Sequence, residues 1–261
     1  MEEFKFVAVV LTYRNSQDLI ECIDSMQDKI PSCKIVVVNA YYDDETMNEI
    51  KEAAITRDCD FINIDNKGYG FGNNAGIEYA NTHYKYEYII ISNPDITIDK
   101  FDIDNLLPNK IYAPKVITRI GKNQNPMVIK RNKCSEYFVY KGFKDDNKFY
   151  LMTGLVLGKI SNLIHKKSFK NTYKIYQAHG SFVIIHYDAL KNIHPIYDDN
   201  MFLFAEEGVL AYKAEKQGIE TYFTNEIVIQ HKEDGSMSLA DFTIDNELKK
   251  ANIYFYEKYG K

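Results

Sequence analysis

Four short apolar runs recur at near-even spacing in the first hundred residues, and helical periodicity fills the gaps between them. "FKFVAVVL" (4–11) leads into "NSQDLIECIDSMQ", where Ser16 can cap a helix whose Leu19, Ile20, Ile23 and Met26 share one face. "KIVVVNA" (34–40) precedes a helix over 44–54, "DFINID" (60–65) precedes a helix over 73–84, and "YEYIIIS" (86–92) closes the series. A strand that is apolar on both faces must be covered on both faces. Alternation with helices of this length therefore predicts an α/β fold with a mostly parallel central sheet flanked by helices.

The second half is less regular. Residues 119–150 are rich in Lys, Asn and Asp and show few periodic apolar positions. "YLMTGLVLGKISNLIHKKSFKN" (150–171) reads either as a core helix pair or as an amphipathic segment lying on a membrane. Gly154 and Gly158 interrupt its stripe, which favours the core reading. "HGSFVIIHYDAL" (179–190) is a strand entering a helix, and "EEGVLAYKAEKQG" (206–218) is a helix stopped by Gly218. With no repeat and no linker, the expectation is a single domain over 1–240 and a C-terminal helical appendage over 241–261.

Charge and cysteine usage narrow the class. A net charge of −5 argues against a nucleic-acid partner, because such proteins carry a basic excess. Cys22, Cys33, Cys59 and Cys134 form no C-x-x-C pair, so they read as free thiols in a reducing compartment. Residues 4–11 follow an acidic pair and end in a turn, as a buried strand does and a signal peptide does not. No run approaches the ~20 apolar residues that span a bilayer. The expectation is a cytoplasmic protein.

The stretch "NKGYGFGNNAGIEYA" (66–80) invites comparison with a dinucleotide fingerprint. That fingerprint is G-x-G-x-x-G directly after the first strand, where the pyrophosphate meets a helix N-terminus. Here the first turn is "TYRNSQ", without a glycine, and the glycines come after the third strand as G-x-G-x-G. A nicotinamide dehydrogenase is therefore disfavoured.

Seven segments occur in order: "VVLTYRNSQDL", "KIVVVNAYYDDET", "NKGYGFGNNAGI", "IIISNPDITI", "HGSFVII", "FLFAEEGVLAYKAEKQG" and "VIQHKEDGS". Together, over residues 4–238, they resemble the family 2 glycosyltransferases, specifically the bacterial rhamnosyltransferase-like branch of surface polysaccharide biosynthesis. The resemblance implies a GT-A fold, with a Rossmann-like nucleotide-sugar half to about residue 110 and an acceptor half over 111–240. It implies that Thr12 and Tyr13 line the nucleotide base, and that Asn39 and Asp44 stand near it. Asn39 falls where the family usually has an aspartate, and an asparagine amide also hydrogen-bonds a pyrimidine edge. A solvated surface position is an equal reading of Asp44. Asn66, Gly70, Phe71 and Asn74 would run beside the donor, with glycines admitting close backbone approach.

"SNPD" stands where the family usually writes Asp-x-Asp. The resemblance implies that Asp95, with His231, binds a divalent ion, Mn²⁺ or Mg²⁺, and that Asn93 assists at the donor. Read alone, Asn-Pro-Asp is a common turn. "FAEEG" matches the family's Glu-Asp pair, so Glu207 would take the acceptor proton with Glu206 beside it, although carboxylates also suit any helix N-terminus. The implied reaction is inverting transfer from a nucleotide-sugar donor, UDP- or dTDP-linked hexose or rhamnose, to a glycan or lipid-linked oligosaccharide acceptor. Peripheral contact with the inner face of the plasma membrane would accompany it. A sugar-nucleotide nucleotidyltransferase and a non-catalytic nucleotide-sugar-binding relative remain as alternatives.

Overall fold

The computed structural model describes residues 1–104, 106–166, 170–233 and 244–260. Strands β1 (Glu2–Thr12), β2 (Cys33–Ala40), β3 (Asp60–Ile64) and β4 (Tyr84–Ser92) pair in parallel in the order β3-β2-β1-β4. Between them run α1 (Ser16–Lys29), α2 (Asp44–Ile55) and α3 (Tyr69–His83). The sheet then turns mixed. β8 (Phe182–His186) lies antiparallel on β4, β6 (Lys110–Thr118) antiparallel on β8, and β9 (Glu220–His231) parallel to β6. The outer edge of β9 takes β7 (Thr172–Ile175) along its first half and β5 (Ile96–Phe101) along its second.

Alternation along each strand divides the core into two layers. Phe6, Ala8 and Val10 meet Leu19, Cys22, Ile23 and Met26 of α1 and Ile50 of α2 on one face. Val7 and Val9 meet Ile77 and Ala80 of α3 on the other. That second face also receives α6 (Tyr187–Ile193) through Leu190 and α7 (Glu206–Lys216) through Leu210 and Ala214. Fully burying one such aliphatic side chain contributes about 1.5–3 kcal/mol, so both faces of β1 are committed to the core.

Local structure departs from the sequence-based expectation at several places. The cap of α1 is Asn15, whose side chain accepts the Asp18 N–H at 3.0 Å; Ser16 is the first helical residue. α3 begins at Tyr69, not 73, so the glycines after Gly68 are helical. Their work is close packing. A Cβ on Gly76 would sit 2.4 Å from Val9 Cγ1, and one on Gly72 2.5 Å from Leu11 Cδ1, so α3 lies tight against β1. Gly68, at φ +106°, turns the chain against Phe202, whose carbonyl oxygen a Cβ would meet at 2.2 Å.

The segment 150–171 is not a core helix pair. Residues 150–165 belong to one helix, α5 (Lys148–His165), which folds back on α4 (Lys133–Lys144) as a hairpin; residues 167–169 lie outside the described part. Gly154 does not break α5. It admits α4, since a Cβ there would meet Val139 N at 2.6 Å, and it is the buried residue of a helix whose other face stays exposed. The C-terminal helix α8 (Ile244–Phe255) and the π-helical turn Tyr256–Gly260 pack on α4 and α7. Asp198 anchors them by accepting hydrogen bonds from Tyr254 and Tyr259 hydroxyls and the Lys258 ammonium. Those bonds hold its carboxyl below the usual range against the cost of burial. Residues 241–243 lie outside the described part.

Candidate active site

The carboxyl ends of β1, β4 and β9 and the start of β8 converge on one edge of the sheet, the edge at which open α/β sheets bind ligands. A cavity of about 530 Å³ opens there. Thr12, Tyr13, Asn66, Asn93, Asp95, Glu206, Glu207 and His231 all line it. Residues as far apart in sequence as Thr12 and His231, 219 positions, thus share one cleft.

Asp95 and His231 meet because β5 pairs antiparallel with β9, setting Ile96 opposite His231. His231 Nε2 lies 3.3 Å from Asp95 Oδ1, and both side chains are buried. Gln124 fixes the ring. Its amide nitrogen donates to Glu233 at 2.8 Å, so its oxygen faces His231 Nδ1 at 2.7 Å. With Nδ1 donating, a neutral ring turns its Nε2 lone pair toward Asp95, whose Oδ1 is buried with no hydrogen-bond donor. In that protonation state the two acceptors, 3.3 Å apart, fit a cation; with the ring protonated the same contact is a salt bridge. They do not amount to a complete protein cage: no cluster of three or more His, Cys, Asp or Glu able to hold a metal occurs among the described residues. An ion here would need ligand oxygens from a bound molecule.

His179 stacks edge-on against His231, with centroids 5.6 Å apart, and its Nδ1 accepts the Ser181 N–H at 3.2 Å. Burial pushes its pKa below the ordinary 6.5, outweighing the nearby Glu207 carboxylate. Behind Asp95, the Lys232 N–H donates to the Asp95 carbonyl at 2.9 Å, while Lys232 Nζ bridges Asp18 and Glu21 at 2.6 Å each. That bridge ties the end of β9 to α1.

The other wall is the start of α7. Phe204 and Ala205, at φ 74° and 62°, are both left-handed, and Ala205 takes the cap position without a side-chain cap. Non-glycine residues in that region each cost on the order of 1–2 kcal/mol. The bend delivers adjacent carboxylates into different surroundings. Glu206 is 4% exposed, and its Oε1 is buried without a partner. Burial, and then the charge of Glu207, pushes its pKa from the ordinary 4.5 up to about 8. Glu207 is half-buried at the cleft and its Oε1 accepts the Gly180 N–H at 3.4 Å.

Not every expected residue faces the cleft. Asn39 is buried and its amide donates to Asn63 at 2.7 Å, bridging β2 and β3. Asp44 is exposed in the first turn of α2 and accepts the Tyr41 hydroxyl. Gly70 packs on Tyr197, Phe71 lies under the Lys67 ammonium, and Asn74 clamps Tyr197 and Asp199. None of these five lines the cavity. Asn93 does, but its Oδ1 lies 3.2 Å from the Tyr69 hydroxyl, which also donates to Gly180 O at 2.9 Å. Gln124, Met127, His179, Ser181 and Phe202 line the cleft and were not singled out as site residues from the sequence. The "HGSF" turn was the nearest signal. Residues 234–236, the end of "VIQHKEDGS", lie outside the described part.

Among solved structures, GalNAc-T7, crystallised with UDP, GalNAc and Mn²⁺, superposes at TM-score 0.61 with 12% identity, over 88% of this chain and 44% of its own. S. aureus TarS superposes at 0.56 with 13% identity, over 93% of this chain and 41% of its own. These likenesses are of fold, the GT-A architecture expected from the sequence. The low-salt glycan biosynthesis hexosyltransferase of Haloferax volcanii is 22% identical over 218 residues, 81% of this chain and 62% of that protein. The chain thus spans under two thirds of that relative. The model of "Glycosyl transferase family 2" matches residues 7–190, well over half of the sequence and every strand of the parallel half. The protein belongs to glycosyl transferase family 2.

Proposed function

We propose that the protein is an inverting glycosyltransferase of the rhamnosyltransferase-like branch. It moves a hexosyl or rhamnosyl residue from a UDP- or dTDP-sugar to a hydroxyl of a growing, lipid-linked surface glycan. The observation that carries this reading is the pairing of two unlike acidic centres on one cleft. The buried Asp95–His231 pair comes from the turn between β4 and β5 and from the end of β9, and Glu207 comes from the start of α7.

A single displacement needs a group at each end of the reacting bond. Glu207 takes the proton of the acceptor hydroxyl as its oxygen bonds to the anomeric carbon, and the bond from that carbon to the diphosphate breaks. Gly180 N–H orients the Glu207 carboxylate. Glu206 keeps its proton, so the pair carries one negative charge instead of two. Asp95 and His231 would hold the Mn²⁺ or Mg²⁺, whose contribution is to stabilise charge on the departing nucleoside diphosphate. Thr12, Tyr13 and Asn66 receive the nucleoside, and Asn93 helps close the donor side. The crystal structure of GalNAc-T7 with UDP and Mn²⁺ supports the same ion and ligand class here.

The test is a thermal-shift screen of UDP, dTDP and their sugars with and without Mn²⁺, followed by release of nucleoside diphosphate during transfer. A pyrimidine diphosphate with Mn²⁺ should raise the melting temperature, and NAD should not. Pyrophosphate release from a nucleoside triphosphate and a sugar phosphate would make the protein a nucleotidyltransferase instead.

A further inference from the structure

The outer face of α5 is apolar, and among the described residues nothing covers it. Phe149, Met152, Val156, Ile160, Leu163 and Ile164 recur at steps of three and four, so they fall on one side of the helix. All are exposed, with Phe149 at 74%, Leu163 at 75% and Ile164 at 72%. The opposite side is spoken for. Gly154 packs on Val139 of α4, and Ser135 Oγ donates to the Gly154 carbonyl at 2.7 Å. This stripe is therefore not a core face turned outward by loose packing.

Charge identifies what the face meets. Residues 147–170 hold five lysines and no acid, in a chain whose net charge is −5. Lys148 and Lys159 lie three turns apart along one border of the stripe, and Lys166 continues that line just past the helix end. All three are exposed and unpaired with any acid among the described residues. Lysines bordering an apolar stripe place ammonium groups at the headgroup level while the stripe enters the acyl boundary. A second copy seated on this face by a two-fold axis would meet the same acid-free helix and leave those lysines without counter-charge. No helix among the described residues is long and apolar enough to cross a membrane, so such a contact lies on the surface.

α5 is also locked to the cleft. Asn162 accepts the Ile129 N–H at 2.9 Å and donates to the Met127 carbonyl at 2.8 Å, and Met127 lines the cavity. We infer that the outer face of α5 binds an anionic lipid surface and holds the cleft mouth beside it. The membrane contact stands on its own. Its use, presenting a lipid-linked acceptor to Glu207, rests on the transfer reading above.

Flotation of the full chain with phosphatidylcholine vesicles, with and without phosphatidylglycerol, tests the contact. The protein should float with the anionic vesicles, and added salt should weaken binding. A variant carrying Phe149→Ser, Leu163→Ser and Ile164→Ser should lose at least about tenfold in affinity, since insertion scales with buried apolar area. A second carrying Lys148→Glu, Lys159→Glu and Lys166→Glu should lose roughly 10²-fold, each basic residue near an anionic surface being worth about fivefold. Both variants should keep the melting temperature and the UDP–Mn²⁺ shift of the parent. Absence of vesicle binding by the parent, or undiminished binding by the serine variant, overturns the proposal. So does a parental dimer in sedimentation that the serine variant converts to monomer without vesicle binding. Nucleotide binding and transfer to a water-soluble acceptor, measured on the same proteins, fail only if the enzymatic reading fails.

Discussion

Glu206→Gln should remove a pH dependence that the native chain's stability carries. The carboxyl is 4% exposed, its Oε1 has no partner, and its pKa in the folded state is about 8 against an ordinary 4.5. A raised native pKa means that the unfolded chain releases the proton first. The favourable contribution of protonated Glu206 is then complete below about pH 4.5 and is lost as pH rises through about 8. Within that window the loss is about 1.4 kcal/mol per pH unit. Between pH 5 and pH 8 the native protein should therefore lose roughly 3–4 kcal/mol relative to Glu206→Gln, whose amide does not titrate. Thermal unfolding of both proteins at half-unit pH steps reads this as a melting-temperature gap widening by about 6–16 °C, at 2–4 °C per kcal/mol. The glutamine amide has its own burial cost, but that cost is independent of pH, so the slope is the test. The Glu207 charge is the second cause of the raised Glu206 pKa after burial, so Glu207→Gln should shrink the effect by removing it. A gap that stays flat from pH 5 to 8 would refute the reasoning, because Glu206 would then ionise as freely in the folded protein as in the unfolded one.

Glu207→Gln should lower turnover by roughly 10²–10⁴-fold with donor affinity almost unchanged; full activity in this variant would move the base elsewhere. Asp95→Ala and His231→Ala should each remove the Mn²⁺-dependent part of the UDP thermal shift while leaving the metal-free shift, and an unaltered Mn²⁺ response would take the ion out of this place. Gln124→Met should weaken apparent Mn²⁺ affinity by about 10–100-fold, as expected of a partner that orients a ligand without touching the metal; calorimetric titration of Mn²⁺ into the UDP complex measures it. Asp198→Asn should weaken the grip on Lys258 and the two tyrosines, lower the melting temperature at pH 7, and open residues 244–260 to proteolysis.

The parallel half was legible because its signal is local. Strands β1 to β4 are apolar runs bounded by turns, and the helices between them carry 3.6-residue stripes, so period alone assigns them. The mixed half depends on partners distant in sequence. β5 is short, and no pattern within 96–118 says that β9 will run beside both β5 and β6. The helix α5 misled for a different reason: an apolar stripe interrupted by glycine looks the same whether its glycine ends the helix or admits a neighbour. The glycines of 68–76 posed a related ambiguity. A missing side chain serves a ligand's backbone contact and a tight helix-on-sheet contact equally well, and here Gly72 and Gly76 serve the second. Asn39 and Asn74 likewise sit within matching segments, yet both amides are consumed by neighbours, Asn63 in one case and Asp199 in the other.

The Glu206–Glu207 pair carries that limit into chemistry. Neighbouring residues on a helix project about 100° apart, so two adjacent carboxyls cannot share one environment when the helix start is wedged between core and cleft. The bend at Phe204 and Ala205 fixes which goes where. Glu206 turns into the buried side, where its Oε1 has no partner. Glu207 turns toward Gly180 at the cleft. An isolated carboxylate in the first position would be expensive, so a proton stays there, and that neutral acid spares Glu207 a second negative charge beside it. Exchange of the pair's roles would require the helix to rotate by one residue, which Val209 and Leu210, both buried in the core, oppose. The division into a buried, protonated carboxyl and a carboxyl at the cleft is therefore set by packing on α7, and the letters "EE" alone do not contain it.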